Sequence, residues 1–267
     1  MIAPTLWTSP TSWGIFALIF ARCFGTTFFA PTLGGVEVSR SIRAAVALTL
    51  AAAVFPTVAE SALETAVAEP NGWAVGGAAR FAVALGVETL FGAALGLALR
   101  CLFSGVSLAG ETIARVGGIS VAGAFDPTTG EESAPISRFL FWLALVVFAT
   151  AGGFELFIEG LLTGFARVEP GAAASASGLI RDFAQILTVS FGLAIKLAAP
   201  VVLATSAIYL AVGFLGRLLP QLNLFAVGFN VASLLTLAVL ALSVGAFCSI
   251  FQTEIVAFLQ TLFRVDA

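Results

Sequence analysis

Histidine is absent from all 267 residues. That removes the commonest general base, the commonest transition-metal ligand and the usual near-neutral pH switch. Charge is also scarce: 12 basic and 15 acidic residues make up 10% of the chain, against about 25% in a soluble domain. The basic residues are scattered and form no stripe that would neutralise phosphates, so nucleic acid is not a partner. Lysine occurs once, at Lys196, and arginine supplies the rest of the positive charge; such a balance suits buried, bidentate pairing. Cys23, Cys101 and Cys248 are odd in number and set inside apolar runs. They read as small hydrophobes, not as a disulfide framework or a metal site. No GxSxG, GxxxxGK[ST] or HExxH pattern occurs, so no enzyme, no cofactor and no metal are expected.

What is present is apolar. Hydrophobic residues make up 60% of the chain and the mean hydropathy is +1.07. This composition predicts an all-α, polytopic integral membrane bundle with long, partly broken helices, forming one domain over residues 1–267. The segment before Trp13 has no Lys or Arg and no small-residue cleavage site, so no removable signal peptide is expected. Apolar runs cover 13–33, 42–58, 73–114, 136–152, 179–216 and 224–251. The third is longer than a bilayer is thick and must tilt, project or break near a glycine. Residues 59–71 hold Glu60, Glu64 and Glu69 with no basic residue and read as an acidic connection. Residues 154–168 read as an amphipathic piece, 171–178 as a Gly, Ala and Ser connector, and 252–267 as a surface or partner-binding tail. Pro200 is expected to kink its helix. Arg40, Arg43, Arg115, Arg138 and Arg217 fall in alternate connections, which the positive-inside rule assigns to the cytoplasm. Arg167 and Arg181 run against that assignment.

The most unusual segment is 110–130, glycine-rich and with no charge from Val116 to Phe125. A loop facing water would be polar, and irregular backbone at membrane depth survives only inside protein or along a cavity. Ionisable groups within apolar runs carry a functional expectation. Glu88 is the deepest acid, with Arg22 and Arg100 as its possible partners; its plainer role is to pin helix packing. Glu111 and Arg115 have the i, i+4 spacing of a helical ion pair, either fixing the helix end or merely solvated. Asp126 and Pro127 start a turn. Pro220, Gln221 and Asn223 form another turn, whose amides can cap a helix or meet a neighbouring subunit.

Taken in order, these residues resemble the FliR family of flagellar export-gate proteins, whose injectisome counterpart is the T subunit. The resemblance rests on Ala30 and Pro31 with Arg40 and Arg43, Glu88 with Gly92 and Gly96, Ala109 and Gly110, Gly118 to Ser120, Phe125 to Pro127, Pro135 with Arg138, Pro220 to Asn223, and Val227 to Phe229. It covers nearly the whole chain. Departures occur at Arg115, where the family often has Gln, at Phe154, where it often has His, and at Val121 and Ala124, where it often has aromatic or Met side chains. The resemblance implies a subunit of an inner-membrane gate with FliP-like and FliQ-like neighbours, and with FlhB-like and FlhA-like proteins nearby. One FliR copy would close a helical ring of FliP with FliQ outside, and some helices would lie above the membrane plane. Unfolded protein substrates would pass through.

It also implies that the loop after the long helix helps to plug the channel. A hydrophobic constriction can refuse ions by dewetting. Gly117, Gly118 and Gly123 would permit displacement while Ile119, Val121 and Phe125 fill the closed lumen. The rival is a secondary transporter with Glu88 as an ion site and Pro200 at a broken helix. Such a protein should show matching broken segments in two halves, and the chain has no evident internal repeat.

Overall fold

The computed structural model describes residues 10–31, 39–68, 77–119, 135–171, 176–218 and 224–263. The described residues are all-α: α1 (Pro10–Phe29), α2 (Arg40–Ala68), α3 (Gly77–Val116), α4 (Pro135–Thr150), α5 (Gly153–Arg167), α6 (Ala176–Leu218) and α7 (Leu224–Phe263). Five helices are long and apolar enough to cross a membrane, and the short pair α4 and α5 can supply a sixth span.

Helix boundaries follow local chemistry. Pro10 opens α1, where its missing N–H costs nothing and its fixed φ suits the first turn. Pro31 follows its end and disfavours helical backbone in the residue before it. Two expected boundaries differ. The acidic connection at 59–71 is largely helix, because α2 runs through Pro56 to Ala68. One proline removes one hydrogen bond, and the Ala, Glu and Leu residues after it are strong helix formers. The expected tail from residue 252 is likewise the end of α7, which continues to Phe263 because neither Gly nor Pro follows Gly245. The long apolar run, expected to tilt, project or break, is one unbroken helix of 40 residues.

The chain divides into two compact units. The first comprises Met1–Cys101, Glu155–Ile186 and Leu259–Ala267. Its core joins Ile15, Ile19 and Cys23 of α1 to Ala51, Val54 and Phe55 of α2, with Leu161 and Phe165 of α5. The second comprises Leu102–Phe154 and Leu187–Phe258. There Phe103 makes edge contacts with Phe141, Phe148 and Phe251, each at a centroid separation of 5.7 Å. Such pairs each add about 0.5–1.5 kcal/mol beyond area burial. Polar ties fix register: Ser137 Oγ donates to the Ser107 carbonyl at 2.9 Å, and the Thr205 and Thr236 hydroxyls lie 3.2 Å apart.

Candidate functional site

In the first unit a glycine pair determines where charge meets charge. Gly92 and Gly96 lie one turn apart on α3, and a Cβ at either would meet α1 backbone, at the Arg22 and Thr26 carbonyl oxygens respectively. Small residues at i and i+4 permit this close approach of helix backbones. Glu88, one turn before Gly92, thereby lies against Arg22. Arg22 Nε donates to Glu88 Oε2 at 2.6 Å, with the two side chains 1% and 2% exposed.

Each group has further partners. Arg22 Nη2 donates to the Val168 carbonyl at 3.0 Å and Nη1 to the Gly164 carbonyl at 3.4 Å, so the guanidinium caps the C-terminal end of α5. Orphan carbonyls and the negative end of the helix dipole favour a cation there. The guanidinium also lies against the rings of Phe165 and Phe91, 4.2 and 4.8 Å from their centroids. The other Glu88 oxygen accepts the Gly171 N–H at 2.8 Å. Gly171 has φ +91°, a conformation open to glycine but strained for other residues. Both carboxylate oxygens are thus engaged away from water. Of the two arginines that the sequence offered to Glu88, the structure brings Arg22 to it, while Arg100 is exposed on α3.

In the second unit, the end of α3 leads into the glycine-rich segment. Gly118 N–H donates to the Arg115 carbonyl at 3.1 Å, Ile119 N–H to the Ala114 carbonyl at 2.9 Å, and Gly118 has φ +71°. This is a Schellman cap with glycine at the left-handed position. Ser233 Oγ on α7 donates to the Gly117 carbonyl at 2.9 Å, and a Cβ at Gly117 would meet the Thr236 side chain at 2.7 Å. Gly117 and Gly118 are therefore buried in a packed helix end, whereas the sequence suggested displaceable glycines. Ile119 is half-buried. Val121, Gly123, Phe125, Asp126 and Pro127 lie outside the described residues, as do Pro220, Gln221 and Asn223.

Glu111 and Arg115 are 3.8 Å apart and 43% and 77% exposed. An exposed i, i+4 pair contributes a few tenths of a kcal/mol. Replacing either by alanine is expected to leave accumulation of the chain in membranes unchanged, as an immunoblot of the membrane fraction would show. A pair that sequence reasoning missed joins Lys196 Nζ on α6 to Glu254 Oε1 on α7 at 2.5 Å. The signal was available: Lys196 is the only lysine, and Glu254 is the only charged residue within α7.

Comparison with known proteins gives this geometry a context. Residues 13–258 match the family described as bacterial export proteins, family 1. The flagellar biosynthetic protein FliR of Caulobacter vibrioides is 28% identical over 234 residues, covering 86% of this chain and 88% of that protein. FliR of Bacillus subtilis is 32% identical over 145 residues, covering 53% of this chain and 56% of the relative; this match spans only about half of that relative's length. The surface presentation of antigens protein SpaR of Salmonella typhimurium is 27% identical over 223 residues, 81% of this chain and 78% of its own.

Proposed function

Because the chain belongs to the bacterial export proteins, family 1, we propose that it is a subunit of the flagellar type III export gate, through which unfolded flagellar proteins leave the cell. It is a multi-pass inner-membrane protein, with five or six helical segments long and apolar enough to span among the described residues. Its work is transport and structure, not catalysis. The single observation that carries the reading is the family match over residues 13–258, joined by the likeness to a FliR protein over 86% of the chain. The two compact units act as one export-gate domain, with FliP-like and FliQ-like subunits as immediate neighbours and FlhB-like and FlhA-like proteins nearby.

Within that role, the Arg22 and Glu88 cluster is a structural bolt. It holds α1, α3 and the end of α5 together and is not a proton path, since its carboxylate is engaged on both oxygens. The glycine-rich segment is the channel plug. The Schellman cap at Gly118 supplies a fixed anchor, and the displaceable part begins after Ile119, with Val121 and Phe125 as its apolar bulk. Asp126 and Pro127, and Pro220, Gln221 and Asn223, serve as turns or subunit contacts in this reading.

The injectisome reading has the SpaR likeness behind it, at lower identity than the Caulobacter match. One experiment tests the role and the system together. Removing the gene is expected to abolish swimming and extracellular filament protein, both restored by the intact chain. The tagged chain is expected to co-purify with FliP-like and FliQ-like subunits. Normal filaments without the gene would refute the flagellar assignment.

A further inference from the structure

One hydroxyl of α7 reaches across to the end of α3. Thr236, Ser249 and Thr253 of α7 donate to carbonyls of their own helix, the local bond that Ser and Thr side chains make within helices. Ser233 donates to the Gly117 carbonyl at 2.9 Å. That carbonyl lies one residue past Val116, the last residue of α3, among the terminal carbonyls that no helical N–H reaches. The Schellman cap takes up the Ala114 and Arg115 carbonyls, and the α7 hydroxyl takes up that of Gly117.

Gly117 also packs against Thr236, one turn from Ser233 on the same face of α7. A Cβ at Gly117 would meet the Thr236 methyl carbon at 2.7 Å, so the close seat needs glycine. Thr236 is itself braced, because its hydroxyl lies 3.2 Å from that of Thr205 on α6 and both residues are buried. The clasp on Gly117 is thus backed by two helices. It holds a point two residues before Ile119 and four before Val121, at most about 14 Å of extended chain. Apolar contact is non-directional and lets a segment slide. A hydrogen bond weakens steeply once its angle is lost, so it fixes one position.

We infer that the Ser233 hydroxyl is a positioning group for the plug. It returns the root of the glycine-rich segment to a single closed position, from which Ile119, Val121 and Phe125 fill the lumen. It acts through the Gly117 carbonyl, and its loss leaves the apolar plug residues present but out of register. The inference rests on the plug reading given above.

The test measures small-ion leak per assembled complex, in cells that carry the whole gate, for Ser233→Ala, Ser233→Thr and a deletion of residues 120–124. Ser233→Ala is expected to raise the leak several-fold while the chain's content in membranes stays near that of the unaltered protein. Ser233→Thr keeps the hydroxyl and is expected to leak several-fold less than Ser233→Ala. If Ser233→Ala does not accumulate, Ser233→Cys takes its place, since it keeps a side chain of similar size and weakens the donor; it too is expected to leak. A hydroxyl that serves stability alone would lower membrane content and leave leak per complex unchanged, which would overturn the inference. A leak in the deletion without one in Ser233→Ala would overturn the positioning role and leave the plug standing. No leak in either would remove both.

Discussion

Glu88→Ala is expected to deplete the chain from membranes several-fold, and Arg22→Ala to do the same. Each change leaves one buried charge without its partner, in a site where the side chains are 1% and 2% exposed. Breaking such a pair costs about 3–5 kcal/mol, a large share of a stability of about 5–15 kcal/mol. The decisive variant is the charge swap, Arg22→Glu with Glu88→Arg. A simple ion pair would tolerate exchange. This one is polar in a fixed sense, because the cation caps the carbonyls of Gly164 and Val168 and the anion accepts the Gly171 N–H. The swap places a carboxylate against carbonyl oxygens and a guanidinium against an N–H. It is expected to accumulate no better than either single variant, as measured by immunoblot of membranes. Restoration by the swap would show that mutual attraction alone matters.

Gly92→Ala is expected to be nearly as damaging, although it adds only a methyl group. The added Cβ overlaps the Arg22 carbonyl oxygen and the backbone around it, and helix backbone cannot rotate out of the way as a side chain can. Overpacking of this kind costs about 1–3 kcal/mol, and here it also pushes Arg22 away from Glu88. The paired control is Gly86→Ala on the same helix, where nothing lies within 4 Å of the new Cβ. That change favours the helix by about 0.5–1 kcal/mol and should leave accumulation at or above wild type. Equal behaviour of the two variants, in membrane content and in resistance to thermal aggregation, would contradict the close helix crossing.

The sequence made the fold class legible because apolar runs near 20 residues have few alternatives to a membrane helix. It pointed to Glu88 because acids are rare at such depth, and it offered Arg22 beside Arg100. Choosing between the two needed the Gly92 and Gly96 crossing, a tertiary fact in which one glycine pair decides which arginine arrives. The caps on α5 and Gly171 were not legible, since backbone groups carry no sequence label. Misplaced ends at α2 and α7 arose from treating Pro56 and scattered polar residues as breaks, where surrounding helix formers carry the backbone through. Gly117 and Gly118 looked mobile by composition. The left-handed φ of Gly118 and the hydroxyl of Ser233 instead tie that end down. Lys196 and Glu254 escaped notice because their partnership spans 58 residues and neither belongs to a local pattern.

The proposed plug, the segment that follows the anchored end of α3, is expected to hold back small ions. The most direct measurement is ion permeability of cells carrying the assembled complex, with residues 120–124 deleted and the Gly118 cap and Ile119 left intact. A several-fold rise in small-ion leak is expected while secretion of export substrates continues. Unchanged permeability in cells that still secrete would contradict the claim.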